Sequence, residues 1–389
     1  MNKEMYIKQV VLIWGFITIF NSYNPNQGDT KMKKTPSFNV LHICDYAAYY
    51  RGNFIDSLES LEKYHDNVKN FYLFPARAQH TVAKEWIDAL NESQEVAYFQ
   101  KENTVSNILL LLNIIRKNKI NRIVRHFSDK KMDILVRLFF NGKKVVRFFH
   151  NDCEPASTTV KQKIKEFLYK GNKLVGVSDA IASHIKAVFP TYSVYSLVNA
   201  IYFDRLDNID EVQHPDGISL LIMGWDYKRK GVDLAIKATH ALQKKYNLTL
   251  QILGGVNEDK IKRLANEILG KDVDWIRYLP PTNNVGTYYT KNDIFLSPSR
   301  QEAFGYANIE AAYCKNSIVL SKVDGQGELQ IDGAYWFESD NIEEFTQKLE
   351  QAIIELNLPE KVTQREFVKT QVQQIYSLQE WSNKLVDIF

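Results

Sequence analysis

The chain has 389 residues, with 49 Lys/Arg against 46 Asp/Glu, 24% charged and 45% hydrophobic residues. That balance is ordinary for a folded globular protein, and the length exceeds what one hydrophobic core usually organises, so two domains are expected. Cys44, Cys153 and Cys314 are odd in number and widely spread, which excludes a disulfide framework and a cysteine-spaced metal site and makes a reducing, cytoplasmic setting the expected one.

In chain order, residues 1–31 read as an extension outside the fold. The apolar run Val10 to Phe20 is shorter than the roughly 20 residues that span a bilayer, and no small-residue cleavage pattern follows it. Met32-Lys-Lys resembles a start, followed at once by a first strand, Asn39–Cys44. Residues 32–198 then alternate short apolar runs with helical patterns, as in a doubly wound α/β domain. Strands are predicted at 39–44, 70–74, 122–126, 144–149, 173–177 and 192–197, and helices at 53–64, 82–92, 106–117, 159–170 and 178–188. Between residues 101 and 173 stand seventeen Lys/Arg against six Asp/Glu, in a chain whose net charge is only +3. The excess reads either as helices with cations near their C-termini or as a basic surface for anionic lipid. No helix-turn-helix, zinc or RNA-binding signature makes nucleic acid an expected partner.

A polar linker precedes a second series, residues 199–370. Its strands are predicted at 218–223, 248–253, 273–278, 294–297 and 317–320, with helices at 232–245, 259–270, 284–290, 309–315 and 342–356. The tail, 371–389, reads as a helix with apolar Ile375, Leu378, Trp381 and Leu385. The fold class expected is therefore α/β, with two doubly wound, Rossmann-like domains.

Two stretches of the second domain carry candidate chemistry. In Met223-Gly-Trp-Asp-Tyr-Lys-Arg-Lys-Gly-Val-Asp-Leu-Ala235, a strand ends at Gly224, cations follow, and Gly231 opens a helix. Cations beside a helix N-terminus suit an anion and are unfavourable there without one. In Glu302-Ala-Phe-Gly-Tyr-Ala-Asn-Ile-Glu310, two carboxylates flank a Phe-Gly turn at a helix start. Gly305 permits a close backbone approach, and the first amides of the helix suit a phosphate. In the first domain, Val146-Arg-Phe-Phe-His150 ends a strand on a histidine, and Tyr50-Arg-Gly52 follows the first strand. Strand C-termini are where open α/β sheets bind ligands. The loop Asp45–Gly52 lacks the G-x-G-x-x-G of a dinucleotide-dependent dehydrogenase, and no Asp-x-Asp pair stands at a convincing strand end, so no metal is expected.

These stretches together resemble retaining glycosyltransferases of family four, of the bacterial surface-polysaccharide type, over roughly residues 39–389 and most closely over 220–327. The resemblance implies the GT-B fold, with the two domains facing each other across a cleft and the last helix, 371–389, crossing back to the first. It implies a metal-independent enzyme, without cofactor, that moves a sugar from a nucleotide-diphosphate-sugar to an acceptor hydroxyl with retention at the anomeric carbon. His150 and Glu302 would face the transferred sugar. Gly52, Gly224, Arg229, Lys230, Phe304, Gly305 and Tyr306 would hold the donor, and Glu310 its ribose. Trp225 stands where the family has an arginine, and Arg229 is the candidate to supply that charge. A saccharide or lipid-linked saccharide is the expected acceptor, and peripheral contact with the anionic inner face of the cell membrane fits the basic first domain. The scaffold also serves sugar-nucleotide epimerases and non-catalytic partner subunits of glycosyltransferases.

Overall fold

Parallel strands covered on both faces read as nearly continuous apolar runs, and both sheets of this protein are built from such runs. The computed structural model describes residues 37–389 except 49–50, 81–82, 101–102, 128–129, 152, 154–156, 212–215, 225 and 255–257. The extension over 1–31, Tyr50 and Trp225 therefore lie outside the described residues.

The first sheet contains β1 (Phe38–Cys44), β2 (Val68–Pro75), β3 (Glu95–Phe99), β4 (Arg122–His126), β5 (Val145–Phe149), β6 (Lys173–Gly176) and β7 (Val194–Ser196). All pairs are parallel, in the order β3-β2-β1-β4-β5-β6-β7. Its helices are α1 (Gly52–Tyr64), α2 (Lys84–Ser93), α3 (Thr104–Lys117), α4 (Lys130–Phe139), α5 (Thr159–Tyr169) and α6 (Asp179–Val188). The second sheet contains β8 (Ile218–Met223), β9 (Leu248–Leu253), β10 (Ile276–Leu279), β11 (Ile294–Ser297), β12 (Ser317–Lys322) and β13 (Tyr335–Glu338), again parallel, in the order β10-β9-β8-β11-β12-β13. Its helices are α7 (Val232–Leu242), α8 (Glu258–Leu269), α9 (Val285–Thr290), α10 (Tyr306–Tyr313), α11 (Ile342–Glu355) and α12 (Pro359–Ile375), with α13 (Leu378–Ile388) closing the chain.

Strand order reverses between β1 and β4 in one sheet and between β8 and β11 in the other. The loops leaving the C-terminal ends of such neighbours diverge to opposite faces and open a crevice. These two switch points position the candidate site.

Strands β3 and β13 and helices α4 and α12 add to the elements predicted from sequence. The tail is not one helix. It breaks at Tyr376–Ser377, where the Ser377 hydroxyl accepts from the Glu380 amide at 3.2 Å as a fresh N-cap, an arrangement that starts helices by satisfying an orphan amide. Helix α13 then packs into the core of the first domain through Leu378, Trp381, Leu385 and Ile388. Arg122 Nε donates to the Phe389 carbonyl at 3.0 Å.

The basic segment 101–173 divides between surface and interior. Arg125 on β4 and Arg147 on β5 are buried around Asp133 of α4. Arg125 Nη2 and Arg147 Nη2 each donate to Asp133 Oδ1 at 2.7 Å, and the Arg147 guanidinium lies 4.1 Å from the Tyr169 ring centroid. Burial pushes the Asp133 carboxyl up, but the two guanidiniums outweigh it and hold it at about 2. The folded value is below the ordinary one, so the cluster stabilises the fold above about pH 4 and loses that contribution as pH falls toward 2. Asp133→Asn leaves two buried guanidiniums without their counterion. It is expected to lower the unfolding free energy by about 3–5 kcal/mol at neutral pH, read from urea titrations, with the gap between parent and variant closing as the pH drops below 4.

Candidate active site

In the second domain the loops after β8 and β11 run side by side. Gly231 is left-handed, with φ 68°, and a Cβ there would lie 2.0 Å from the Pro298 carbonyl oxygen. Only glycine allows that approach. Just before it, the Arg300 amide donates to the Arg229 carbonyl at 2.8 Å. The cation loop is thereby fixed beside Glu302. Lys230 Nζ donates to Glu302 Oε2, and Arg229 Nη1 lies 3.4 Å from the same oxygen while donating to the Gln301 carbonyl at 2.9 Å. Arg229 Nε also donates to Asp226 Oδ2 at 3.0 Å.

Helix α10 begins behind Gly305, whose φ is 100°. A Cβ there would meet Asn308 Nδ2 at 2.6 Å. The Phe304 side chain is buried and packs edge-on against Tyr306, with ring centroids 5.1 Å apart. Phe304 therefore offers the cleft mainly backbone. Burial pushes the Tyr306 phenol well above its ordinary value.

Glu310, one turn along α10, is 5% exposed and already engaged. It accepts from Asn53 Nδ2 at 2.7 Å, from the Tyr289 hydroxyl at 2.9 Å and from Arg205. Asn53 belongs to α1 of the first domain, and its Oδ1 accepts from the Tyr202 amide at 3.0 Å. Burial, then the nearby carboxylate, push Tyr289 well above the ordinary phenol value, so it remains a donor. A carboxylate has about four acceptor sites, and three are filled. A vicinal diol that binds Glu310 through both hydroxyls must displace at least one of these donors.

From the first domain, Gly52 opens α1 with φ 60° and nothing within 4 Å of where its Cβ would be. His150 follows β5 and stands 3.1 Å, Nε2 to Nδ1, from His126. Burial lowers His150 to about 3 and His126 well below the ordinary value, so both rings are neutral at physiological pH.

Two adjoining cavities collect these groups. One, of about 1250 Å³, is lined by His150, Arg229, Glu302, Phe304, Gly305 and Tyr306. The other, of about 830 Å³, is lined by Gly52, Asn53, Arg205, Tyr306 and Glu310. Tyr46, Phe54 and Tyr306 wall both. Lys230 and Gly305 also meet at a small adjoining recess. Gly224 lines none of these spaces. A Cβ there would lie 2.6 Å from Ile252 Cγ2, so what the structure shows of it is packing. Among the described residues, no group of three or more His, Cys, Asp or Glu is placed to hold a metal ion.

Asn53, Arg205, Tyr289 and His126 join the site without having been singled out in the sequence. Asn53 directly follows Gly52 and could have been noticed. Arg205 and Tyr289 carry no local signal, because their partner is 105 and 21 residues away.

Residues 205–367 match the family model described as glycosyl transferases group 1. An uncharacterized glycosyltransferase of Haemophilus influenzae is 26% identical over 185 residues, covering 46% of this chain and 51% of that protein, so the match spans about half of that relative's length. An uncharacterized 41.2 kDa protein in the cps region of Klebsiella pneumoniae is 23% identical over 273 residues, covering 62% of this chain and 74% of that one. The crystal structure of Anabaena HepE in complex with UDP and glucose superposes with a TM-score of 0.70 at 13% identity, over 90% of this chain and 98% of that chain. Residues 205–367 are thus similar to the glycosyl transferases group 1 family, on a chain whose two domains have the GT-B fold.

Proposed function

We propose that the protein transfers a glycosyl residue from a nucleoside-diphosphate sugar to an acceptor hydroxyl, with retention at the anomeric carbon and with Arg229 and Lys230 in the place of a metal ion. The observation that carries this reading is the convergence of Arg229, Lys230, Glu302 and the Gly305-led start of α10 on one crevice. The solved relative of the same fold that holds UDP and glucose supports the donor class.

The donor diphosphate competes with Glu302 for the two cations. An ammonium has three donors and a guanidinium five, so both can hold phosphate oxygens without expelling Glu302 altogether. Glu302 is then free to turn toward the sugar hydroxyls, which His150 meets from the first domain. The bond from the anomeric carbon to the phosphate oxygen breaks. The acceptor oxygen bonds to that carbon on the same face, and its proton passes to the departing phosphate. Charge develops on that oxygen, where Arg229 and Lys230 stabilise it. Glu310 takes the ribose diol.

A thermal-shift panel of UDP, GDP, ADP and their sugars tests the donor class, since only ligands that bind the folded state raise Tm. One nucleoside diphosphate is expected to raise it. Lys230→Ala and Glu310→Ala are each expected to weaken that ligand by about 1.5–3 kcal/mol, roughly tenfold to a hundredfold. A flat response to every nucleotide would defeat the reading. Conversion of the sugar nucleotide to an isomer without transfer would replace it with an epimerase.

We further propose a lipid-linked or surface saccharide as acceptor, met by a cytoplasmic protein lying peripherally on an anionic inner membrane face. The Klebsiella relative's place in a cps region supports this acceptor class. Among the described residues, no helix is long and apolar enough to cross a membrane. Instead, neighbouring helices expose apolar pairs four residues apart: Val105 and Leu109 on α3, Ile134 and Leu138 on α4, and Val160 and Ile164 on α5. Exposed Lys143, Lys144 and Lys163 belong to the same segment. Each basic residue near an anionic surface contributes on the order of 1 kcal/mol. Co-sedimentation with vesicles containing anionic lipid should show salt-sensitive binding, lost in Val160→Asp/Ile164→Asp while the nucleotide response persists. No sedimentation even at low salt would refute the membrane contact.

A further inference from the structure

We infer that His126 is a positioning residue: its Nδ1–H donates to His150 Nε2 and fixes His150 as the Nδ1–H tautomer, presenting a donor to the cleft. The contact is 3.1 Å and holds one proton, which belongs to one ring or the other. The rest of the pocket decides which. His126 is buried, and its Nε2 has no hydrogen-bond partner among the described residues. Were the shared proton on His150, neutral His126 would carry its own proton on Nε2, a buried N–H with no acceptor. The opposite assignment leaves only a bare lone pair there. Buried donors without acceptors are the rarer and costlier defect.

The next histidine obeys the same logic. His42, whose ring stacks 6.0 Å from that of His126, has Nε2 at 3.0 Å from Asn70 Oδ1. The Asn70 amide is oriented by its Nδ2, which donates to the Leu58 carbonyl at 2.9 Å. Asn70 therefore presents its oxygen, and His42 carries its proton on Nε2. Its partnerless Nδ1 is again a lone pair.

Aromatic rings hold the pair in place. Phe148 stacks on His126 at 4.7 Å and Phe127 on His150 at 4.3 Å, while Phe54 meets both edge-on at 5.0 and 5.4 Å. His150 cannot turn away, and the nitrogen not engaged by His126 is Nδ1. Burial keeps both rings neutral, so the contact is a single N–H···N bond. Neutral imidazole in water prefers the Nε2–H form. His126 therefore imposes the less favoured tautomer, and it does so at the wall of the larger cavity. On the glycosyl-transfer reading, on which the functional consequence rests, His150 donates to a sugar oxygen through Nδ1–H, as a catalytic residue that His126 orients.

The test is the imidazole nitrogen spectrum of protein labelled with ¹⁵N-histidine, with His150 assigned by comparison with His150→Gln. The parent is expected to show His150 as Nδ1–H. His126→Phe keeps an aromatic ring but removes the donor, and should move His150 toward Nε2–H. His126→Asn places an amide donor near the position of Nδ1 and should restore the parent tautomer. Donor turnover should follow the spectra, with kcat at least tenfold lower in His126→Phe, recovered in His126→Asn, and the nucleotide melting shift unchanged in both. An Nε2–H signal for His150 in the parent overturns the inference, as does an unchanged tautomer in His126→Phe. The parent spectrum needs no substrate and, beyond His150→Gln for assignment, no variant. It stands if the His126 variants do not fold, and it separates failure of this inference from failure of the transferase reading.

Discussion

The proposed donor side of this protein depends on the parallel pairing of β8 with β11. The register Leu221↔Phe295 brings the two strand ends level, so the loops that leave them must travel together before diverging. Two backbone constraints then fix their separation: the Arg300 amide on the Arg229 carbonyl, and the glycine-only approach of Gly231 to Pro298. Neither involves a charged side chain. The scaffold therefore brings Arg229 and Lys230 to Glu302 without relying on their mutual attraction, and an anion can replace part of that attraction without loosening the loops. Arg300, which also reaches Asp233 and Asp340, reinforces the same junction from outside.

Glu310 follows a different logic. It sits on α10 of the second domain, yet one of its donors, Asn53, comes from α1 of the first. A second contact has the same sense: Glu328 accepts from the Asp179 amide at the start of α6 at 2.8 Å. In both, the first domain donates and a glutamate of the second accepts. On the proposed reading, a diol at Glu310 exchanges one hydrogen bond for another and gains the open fourth acceptor site, so the net gain is about one charge-assisted hydrogen bond. Where Asn53 is the donor displaced, the proposed nucleotide binding is tied to the contact between domains, since Asn53 on Glu310 joins α1 to α10.

The sheet cores were legible because strands covered on both faces leave apolar runs such as Leu248–Leu253. The edge strands were not. β3 reads Glu-Val-Ala-Tyr-Phe and is largely half-exposed, so neither continuity nor alternation marks it. Helix α4 was hidden by composition: its cations suggested a surface, whereas Asp133 faces inward to Arg125 and Arg147. The break before α13 carried a readable Ser-x-x-Glu start at Ser377 and Glu380, masked by an apolar spacing that ran on through it. In the site, Arg229, Lys230, Glu302 and Gly305 were legible because adjacent loops keep residue type and spacing within a short stretch. The engagement of Glu310 was not, because Asn53 lies 257 residues away and only the packed domains make them neighbours.

Charge and shape connect the two ends of the proposed reaction through α5. With +3 overall and an excess of eleven cations between residues 101 and 173, the remainder of the chain carries −8. An anionic surface attracts the first and repels the second, which orients the molecule as well as holding it. Ile164 is exposed on α5 and also lines the larger cavity, together with Lys161 and Lys165 of the same helix. At 1.5 Å per residue, Val160 and Lys165 are about 7.5 Å apart along the axis. On the proposed reading, an acceptor anchored beside Val160 would have its anionic linkage within about that axial distance of the lysines that line the larger cavity. The proposed lipid-facing surface and the cavity wall are then parts of one helix, and their spacing is set by backbone geometry.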